Sequence, residues 1–254
     1  MRHRSRGPLP VLFLLLAVAS GLALPAQAPG PAGRPPEART VETVAPGVEH
    51  ILIRRGDPKG TPDADRLTIH ALVLDPARVR LELGRAMDEG VGTETTSSMA
   101  ARHGALAAVN GGYFRTTGLY KGEPAGLVEV GGRVLSEPSR KRPGLAVANS
   151  AAGVRASVVR LDFRAEVASE DGAARTVDGV NRPREADELI LFTPEFHRTT
   201  LTGPGGVEAV VIEGLVTAVF EGRGSREIPA DGYVLSGTGA AGLVASLVQG
   251  RARR

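Results

Sequence analysis

Apolar and polar positions alternate in short bursts along most of this chain, and turn dipeptides separate the bursts. Val48–Arg54 and Leu67–Leu74 are β-branched runs with partial alternation, and Gly56–Gly60 between them is turn material. Val79–Gly84 alternates as a half-buried strand does. Glu94–His103 reads as a helix that Thr96 or Ser97 can cap, with Met99 and Ala100 facing inward and Gly104 as its stop. The apolar run Ala105–Val109 follows as a buried strand and delivers Asn110, Gly111, Gly112, Tyr113 and Phe114 at its end. Arg115–Ala125 is polar and glycine-rich, a loop over a site.

Hairpins dominate what comes next. Leu127–Val130 and Arg133–Leu135 flank Gly131-Gly132, a strong two-residue turn signal. Gly144–Ala148 with Val154–Leu161 makes a second hairpin, and Phe163–Val167 continues the alternation. Leu189–Phe192 is an aliphatic strand ending in Thr193-Pro194. Glu208–Phe220 is a third hairpin, turning at Glu213-Gly214. Asp231–Gly237 is a short strand and turn, and Ala240–Gln249 a second helix. There is no alternating βαβ pattern and no fixed-period repeat. The predicted class is α+β: mostly antiparallel sheet with a few helices.

The amino terminus changes the picture of compartment. A basic start (Met1–Arg6), an apolar stretch (Leu9–Leu24) and the small-residue site Ala26-Gln27-Ala28 read as a signal peptide over residues 1–28. Residues 29–40 are a Pro-rich linker with nothing to bury, and residues 41–254 form one large domain. The expected location is secreted or periplasmic, with membrane contact only through the signal peptide during export. The chain has no cysteine, which excludes disulfides, a thiol nucleophile and a lipobox anchor. Net charge is +3, with much of the basic excess at the two ends, and no aromatic-basic platform appears, so nucleic acid is not an expected partner.

The chemistry on offer is limited. There is no G-x-S-x-G elbow, P-loop or H-E-x-x-H. His3, His50, His70, His103 and His197 show no metal-ligand spacing, and His50 and His70 read as surface or satisfied core histidines. Asp57, Asp63 and Asp65 share one loop and read as solvated turn acids rather than a calcium site. No metal or cofactor is expected. What remains is a set of polar groups at strand ends: Asn110 with Gly111 and Gly112, Glu123, Arg142, Asn181, Arg182 and Thr193. Glycines at 111 and 112 permit positive φ, and successive N–H groups in such a turn can cradle an anion. A tight β-turn is the plainer local account. Taken together, the arginines and amides suit an anionic ligand.

Ala107-Ala-Val-Asn-Gly-Gly-Tyr-Phe114 resembles the A-V-N-G-G-[FY]-F signature of the phosphodiester glycosidase domain family, bacterial relatives of the enzyme that uncovers mannose 6-phosphate. The order of later elements is similar too: Asn181-Arg182, then Leu189–Pro194, then Thr199-Thr200 and Gly206–Ile212, then Ile228–Gly239. The resemblance implies an exported hydrolase that cleaves a sugar-1-phosphodiester at the glycosidic C–O bond, acting on a phosphate-containing glycan of the envelope or outside the cell. For such a reaction, catalytic roles are expected for Asn110 and for Glu123 as the available local carboxylate, with the family's general base expected to include an Asp of a segment missing here. Substrate binding is expected from Gly111, Gly112, Arg142, Asn181, Arg182 and Thr193, with Arg142 or Arg182 neutralising phosphate. The family's P-R-T-A-x-G and L-N-L-D-G-G-G-S segments have no counterpart here, so the expectation is a domain truncated at its C-terminus in which turnover is doubtful. The alternative is a non-catalytic envelope glycan-binding or exopolysaccharide assembly protein.

Overall fold

The computed structural model describes residues 37–56, 66–139, 142–168 and 174–239. The chain falls into two compact units: residues up to Val44 with Glu49–Val73, and Ala45–Val48 with Leu74 onward. The first unit carries the sheet β1 (Glu37–Ala45), β2 (Val48–Arg55) and β3 (Leu67–Leu74), in the order β1-β2-β3. Strand β1 starts inside the stretch expected to be linker. An Arg55–Glu37 ion pair at 2.7 Å joins the end of β2 to the start of β1. The loop with Asp57, Asp63 and Asp65 lies outside the described residues.

The second unit opens with helix α1 (Thr96–Arg102), and its strands are β4 (Val128–Val130), β5 (Arg133–Ser136), β6 (Gly144–Ser150), β7 (Gly153–Val159), β8 (Glu166–Ala168), β9 (Ala174–Thr176), β10 (Gly179–Val180), β11 (Leu189–Phe192), β12 (Val207–Ile212), β13 (Leu215–Glu221) and β14 (Gly232–Gly237). Its centre is a five-stranded sheet in the order β10-β11-β14-β12-β13. Every pairing in that sheet is antiparallel except β10 with β11. Alternate residues serve the two faces. Leu189, Ala209, Val211, Tyr233 and Leu235 pack with Val167 and Val177 on one side. Ile190, Phe192 and Val234 pack with Val91, Tyr120, Phe196 and Ile228 on the other. Coverage on both faces is why β11 reads as a continuous apolar run rather than an alternating one. Two turns follow their sequence signals closely: Gly131-Gly132 and Glu213-Gly214 both have positive φ at both positions, as a two-residue hairpin turn requires.

Four expectations are corrected. The α+β class is overturned: among the described residues this is a mainly β structure of several small sheets, with one α-helix of seven residues. With 33 glycines and 18 prolines the chain is cut into runs mostly too short for helices. Among the described residues, the segment behind Thr95, whose hydroxyl accepts from the Ser98 N–H, combines a cap with an unbroken run. The cap is Thr95 rather than Thr96 or Ser97. The helix expected over 240–249 lies outside the described residues.

The buried strand expected at Ala105–Val109 is irregular and exposed, with Val109 at 74%. Three of its five side chains are alanine, which offer little area to drive burial. No β-ladder engages it among the described residues. The strand expected at Val79–Gly84 is absent too. Instead, the Asn149 amide accepts from the Leu81 N–H at 3.1 Å and donates to the Leu81 carbonyl at 2.9 Å, replacing a strand partner at one residue only.

Candidate functional site

A cavity of about 910 Å³ opens in the second unit, lined by the segments 123–126, 136–139, 161–164 and 176–178, with Val180, Arg182 and Glu188. Glu123 reaches it through a folded-back loop. The Ala125 N–H donates to the Tyr113 carbonyl and the Arg115 N–H to the Glu123 carbonyl, both at 2.8 Å, with Phe114 opposite Pro124. Gly122 closes that loop at φ +97°, where a Cβ would lie 1.8 Å from the Gly92 carbonyl oxygen, so only glycine fits. The Ser136 hydroxyl donates to the Pro124 carbonyl at 3.1 Å and fixes the loop against the end of β5.

Glu123 is 8% exposed, and Arg115 Nε donates to its carboxylate at 2.9 Å. Burial pushes the Glu123 carboxyl above the usual carboxylate range, while Arg115 pulls the other way. The cavity wall also holds Glu137, Asp162, Asp178 and Glu188 against two guanidiniums, Arg164 and Arg182. Arg182 is fully occupied. Its Nε donates to Glu137 at 2.8 Å, and its terminal nitrogens donate to Glu188 at 2.6 and 2.9 Å and to the Pro183 and Asp178 carbonyls. Burial disfavours its charge, but Glu188 and Glu137 more than offset that and raise its pKa. Arg182 in turn holds the Glu188 carboxyl below the usual range. Arg164 and Asp162 make no ion pair among the described residues and sit exposed at the cavity wall.

Other expected site residues lie elsewhere. Asn181 is 2% exposed, at φ +54°. Its amide donates to the Leu135 carbonyl at 3.0 Å and to the Thr193 hydroxyl at 2.9 Å, and accepts from the Thr193 N–H at 2.8 Å. Asn181 and Thr193 therefore lock β10 to β11. Asn110, Gly111 and Gly112 do not line the cavity. Asn110 is exposed and accepts from the Thr96 hydroxyl of α1. Neither glycine has positive φ, so the anion-cradling turn expected there does not form. Arg142 is also off the cavity, with its guanidinium 4.7 Å from the Tyr113 ring centre.

The sequence reading missed a second polar centre, inside the five-stranded sheet. Glu208 on β12 is 1% exposed. It accepts from the Thr202 and Ser236 hydroxyls, each at 2.8 Å, from the Thr200 hydroxyl at 3.2 Å and from the Arg226 N–H at 3.1 Å. Arg184 donates to the Ser236 hydroxyl at 2.6 Å, and the Tyr120 hydroxyl donates to the Thr200 carbonyl at 2.7 Å. Burial pushes the Tyr120 phenol up, with help from Glu208 and Glu123, and pushes the Arg184 guanidinium down. The sequence signal for this centre was a lone acid within the aliphatic run Val207–Ile212.

No protein-family model matches the chain, and no curated protein matches it. Its backbone is similar to solved structures. One is a hypothetical protein from Synechocystis, with TM-score 0.63 and 19% identity over 82% of this chain and 38% of that one. Another is a "putative exported protein" from Burkholderia pseudomallei K96243, with TM-score 0.69 and 21% identity over 90% of this chain and 69% of that one. This chain thus spans well under half of the first neighbour's length, and what it shares with both is a fold.

Proposed function

We propose that this chain is an exported, glycan-directed hydrolase of sugar-1-phosphodiesters, acting in the cavity beside Glu123. Export is supported by the signal-peptide pattern at residues 1–28 and by the description of one structural neighbour as exported. Among the described residues, no helix is long and apolar enough to cross a membrane. The observation that carries the hydrolase reading is Glu123 itself: a nearly buried carboxyl, raised by desolvation, on the wall of a roomy polar cavity. A carboxyl whose pKa burial raises is suited to protonate a departing oxygen or to steer a water to the anomeric carbon. Arg164, which makes no ion pair among the described residues, takes the phosphate role expected of Arg142 or Arg182; Arg142 lies off the cavity and the donors of Arg182 are all engaged. Asp162, also without an ion pair among the described residues, is the second carboxylate.

The test is release of free reducing sugar from a sugar-1-phosphate methyl ester. Glu123→Gln is expected to abolish release, and Arg164→Ala to raise KM with a smaller effect on kcat. No release by the native chain, or full activity in Glu123→Gln, overturns this reading. A second reading, glycan binding without turnover, is favoured by the acidic wall and by exposed Tyr113 backed by Arg142. It expects saturable glycan binding that Tyr113→Ala weakens and Glu123→Gln leaves intact.

A further inference from the structure

The three-stranded sheet brings together two residues that the sequence keeps far apart. His50 on β2 and His70 on β3 meet with Nε2 of His50 2.9 Å from Nδ1 of His70. The ring centres are 5.1 Å apart and the planes differ by 6°. A centre spacing this long with nitrogens this close means that the rings meet edge to edge, nitrogen facing nitrogen. His50 is half-buried and His70 exposed, so solvent reaches the pair.

We propose that His50 and His70 form a two-histidine site for a divalent transition metal, with Ni²⁺, Cu²⁺ and Zn²⁺ as the chemical class. In the metal-free pair, one inner nitrogen carries a proton that the other accepts, and the tautomer decides which. Moving that proton to the outer nitrogen of its ring leaves two lone pairs pointing at each other along the N···N line. Neutral rings need release no net proton to bind the ion. Metal–imidazole bonds of about 2.0–2.1 Å hold two nitrogens about 2.9 Å apart at a right angle and about 3.3 Å apart at a tetrahedral angle. The observed 2.9 Å is the hydrogen-bond length of the metal-free pair and lies within a few tenths of an ångström of both spacings; among nitrogen-donor sites the ordinary affinity order puts Cu²⁺ first. Each ring must turn by up to roughly 45° at its side-chain torsions before its lone pair aims at an ion bonded at about 2.0–2.1 Å. Imidazole discriminates against Mg²⁺ and Ca²⁺, which take oxygen donors. No cluster of three or more His, Asp or Glu capable of holding an ion occurs among the described residues. Among the described residues the pair has no third ligand, and the remaining positions are left to water or another donor. Spanning β2 and β3, the ion acts as a clip across the sheet.

The test uses the untagged chain from residue 29, without the expected signal peptide and its metal-chelating Met1-Arg-His3 end, above the ordinary histidine pKa of about 6.5. It is titrated calorimetrically with NiCl2, CuCl2, ZnCl2 and MgCl2. One equivalent of Cu²⁺ or Ni²⁺ is expected to bind, with Zn²⁺ weaker and Mg²⁺ inert. His50→Gln or His70→Gln is expected to weaken binding about tenfold or more, because the second ligand no longer acts intramolecularly. His103→Gln and His197→Gln are controls that keep it. Electron paramagnetic resonance of the Cu²⁺ complex is expected to show two coordinating nitrogens in the native chain and fewer in each single variant. A cooperative melt in each variant establishes that the sheet is still folded. Binding unchanged in the double variant, or no saturable binding by the native chain, overturns the proposal.

Discussion

Two stretches of this chain look alike on paper and behave oppositely in the fold. Val207-Glu208-Ala-Val-Val-Ile212 and Ala107-Ala-Val-Asn110-Gly-Gly112 each place one polar residue in an apolar run. In the first, Glu208 is 1% exposed and accepts from three hydroxyls and a backbone N–H. In the second, Asn110 lies in solvent with a hydroxyl partner from α1, and its neighbour Val109 is 74% exposed. The difference is side-chain volume and strand partners. β12 offers valines and an isoleucine, with a ladder on each side. The alanine-rich run offers small side chains and, among the described residues, no ladder. Hydrophobic character in a sequence marks a candidate for burial; neighbours decide whether burial happens.

The largest expected effect follows from that contrast. Glu208→Ala strips the acceptor from Thr200, Thr202, Ser236 and the Arg226 N–H at once, and should cost about 3–5 kcal/mol of stability in urea unfolding. Asn110→Ala should stay within about 0.5 kcal/mol. Equal effects at the two sites would end the distinction drawn here. Next comes Arg182→Lys, expected to lose about 2 kcal/mol, because one ammonium cannot serve Glu137 and Glu188 in the fork that the guanidinium provides. Stability unchanged in that variant would mean that the pairing is ornamental.

pH dependence separates the carboxylates by sign. The folded pKa of Glu188 is lowered, so its contribution is present above the ordinary carboxylate value and fades as pH falls through the folded value. Arg182→Lys should blunt that acid-side loss. The folded pKa of Glu123 is raised, so its contribution is complete below the ordinary value and is lost as pH rises through the raised one. Glu123→Gln should flatten that upper part of the stability curve, read as Tm against pH. A curve that keeps its shape in Glu123→Gln would assign the upper slope to another group. The smallest effect is at the surface. Tyr113 is 77% exposed, and Tyr113→Ala should change stability by less than about 0.5 kcal/mol. A larger loss would mean that the ring supports the Glu123 loop as well as Arg142.

The hairpins were legible because their turns are local. Gly131-Gly132 and Glu213-Gly214 need only positive φ at two positions, and a dipeptide carries that information. The strand Leu189–Phe192 was legible because an unbroken aliphatic run with a turn on either side has few other homes. Glu123 was legible as a carboxyl beside a glycine-rich loop, though nothing local placed it in a cavity.

The rest required the fold. The sheet order puts β14 between β11 and β12, so Asp231–Gly237, a modest strand by pattern, supplies the central strand of the sheet. Asn181 and Arg182 look like ligands in sequence because polar residues at strand ends often are. Their partners, Thr193, Glu137 and Glu188, stand 12, 45 and 6 residues away, and chain folding alone brings them together. His50 and His70, separated by 20 residues, meet only because β2 and β3 lie side by side. The sequence by itself determined turns, breaks and the supply of apolar runs, all set by torsions and side chains within a few residues. Tertiary structure alone decided which runs are buried, which charges are already paired and which are left for a ligand, because burial and pairing are properties of neighbours that the chain supplies from a distance.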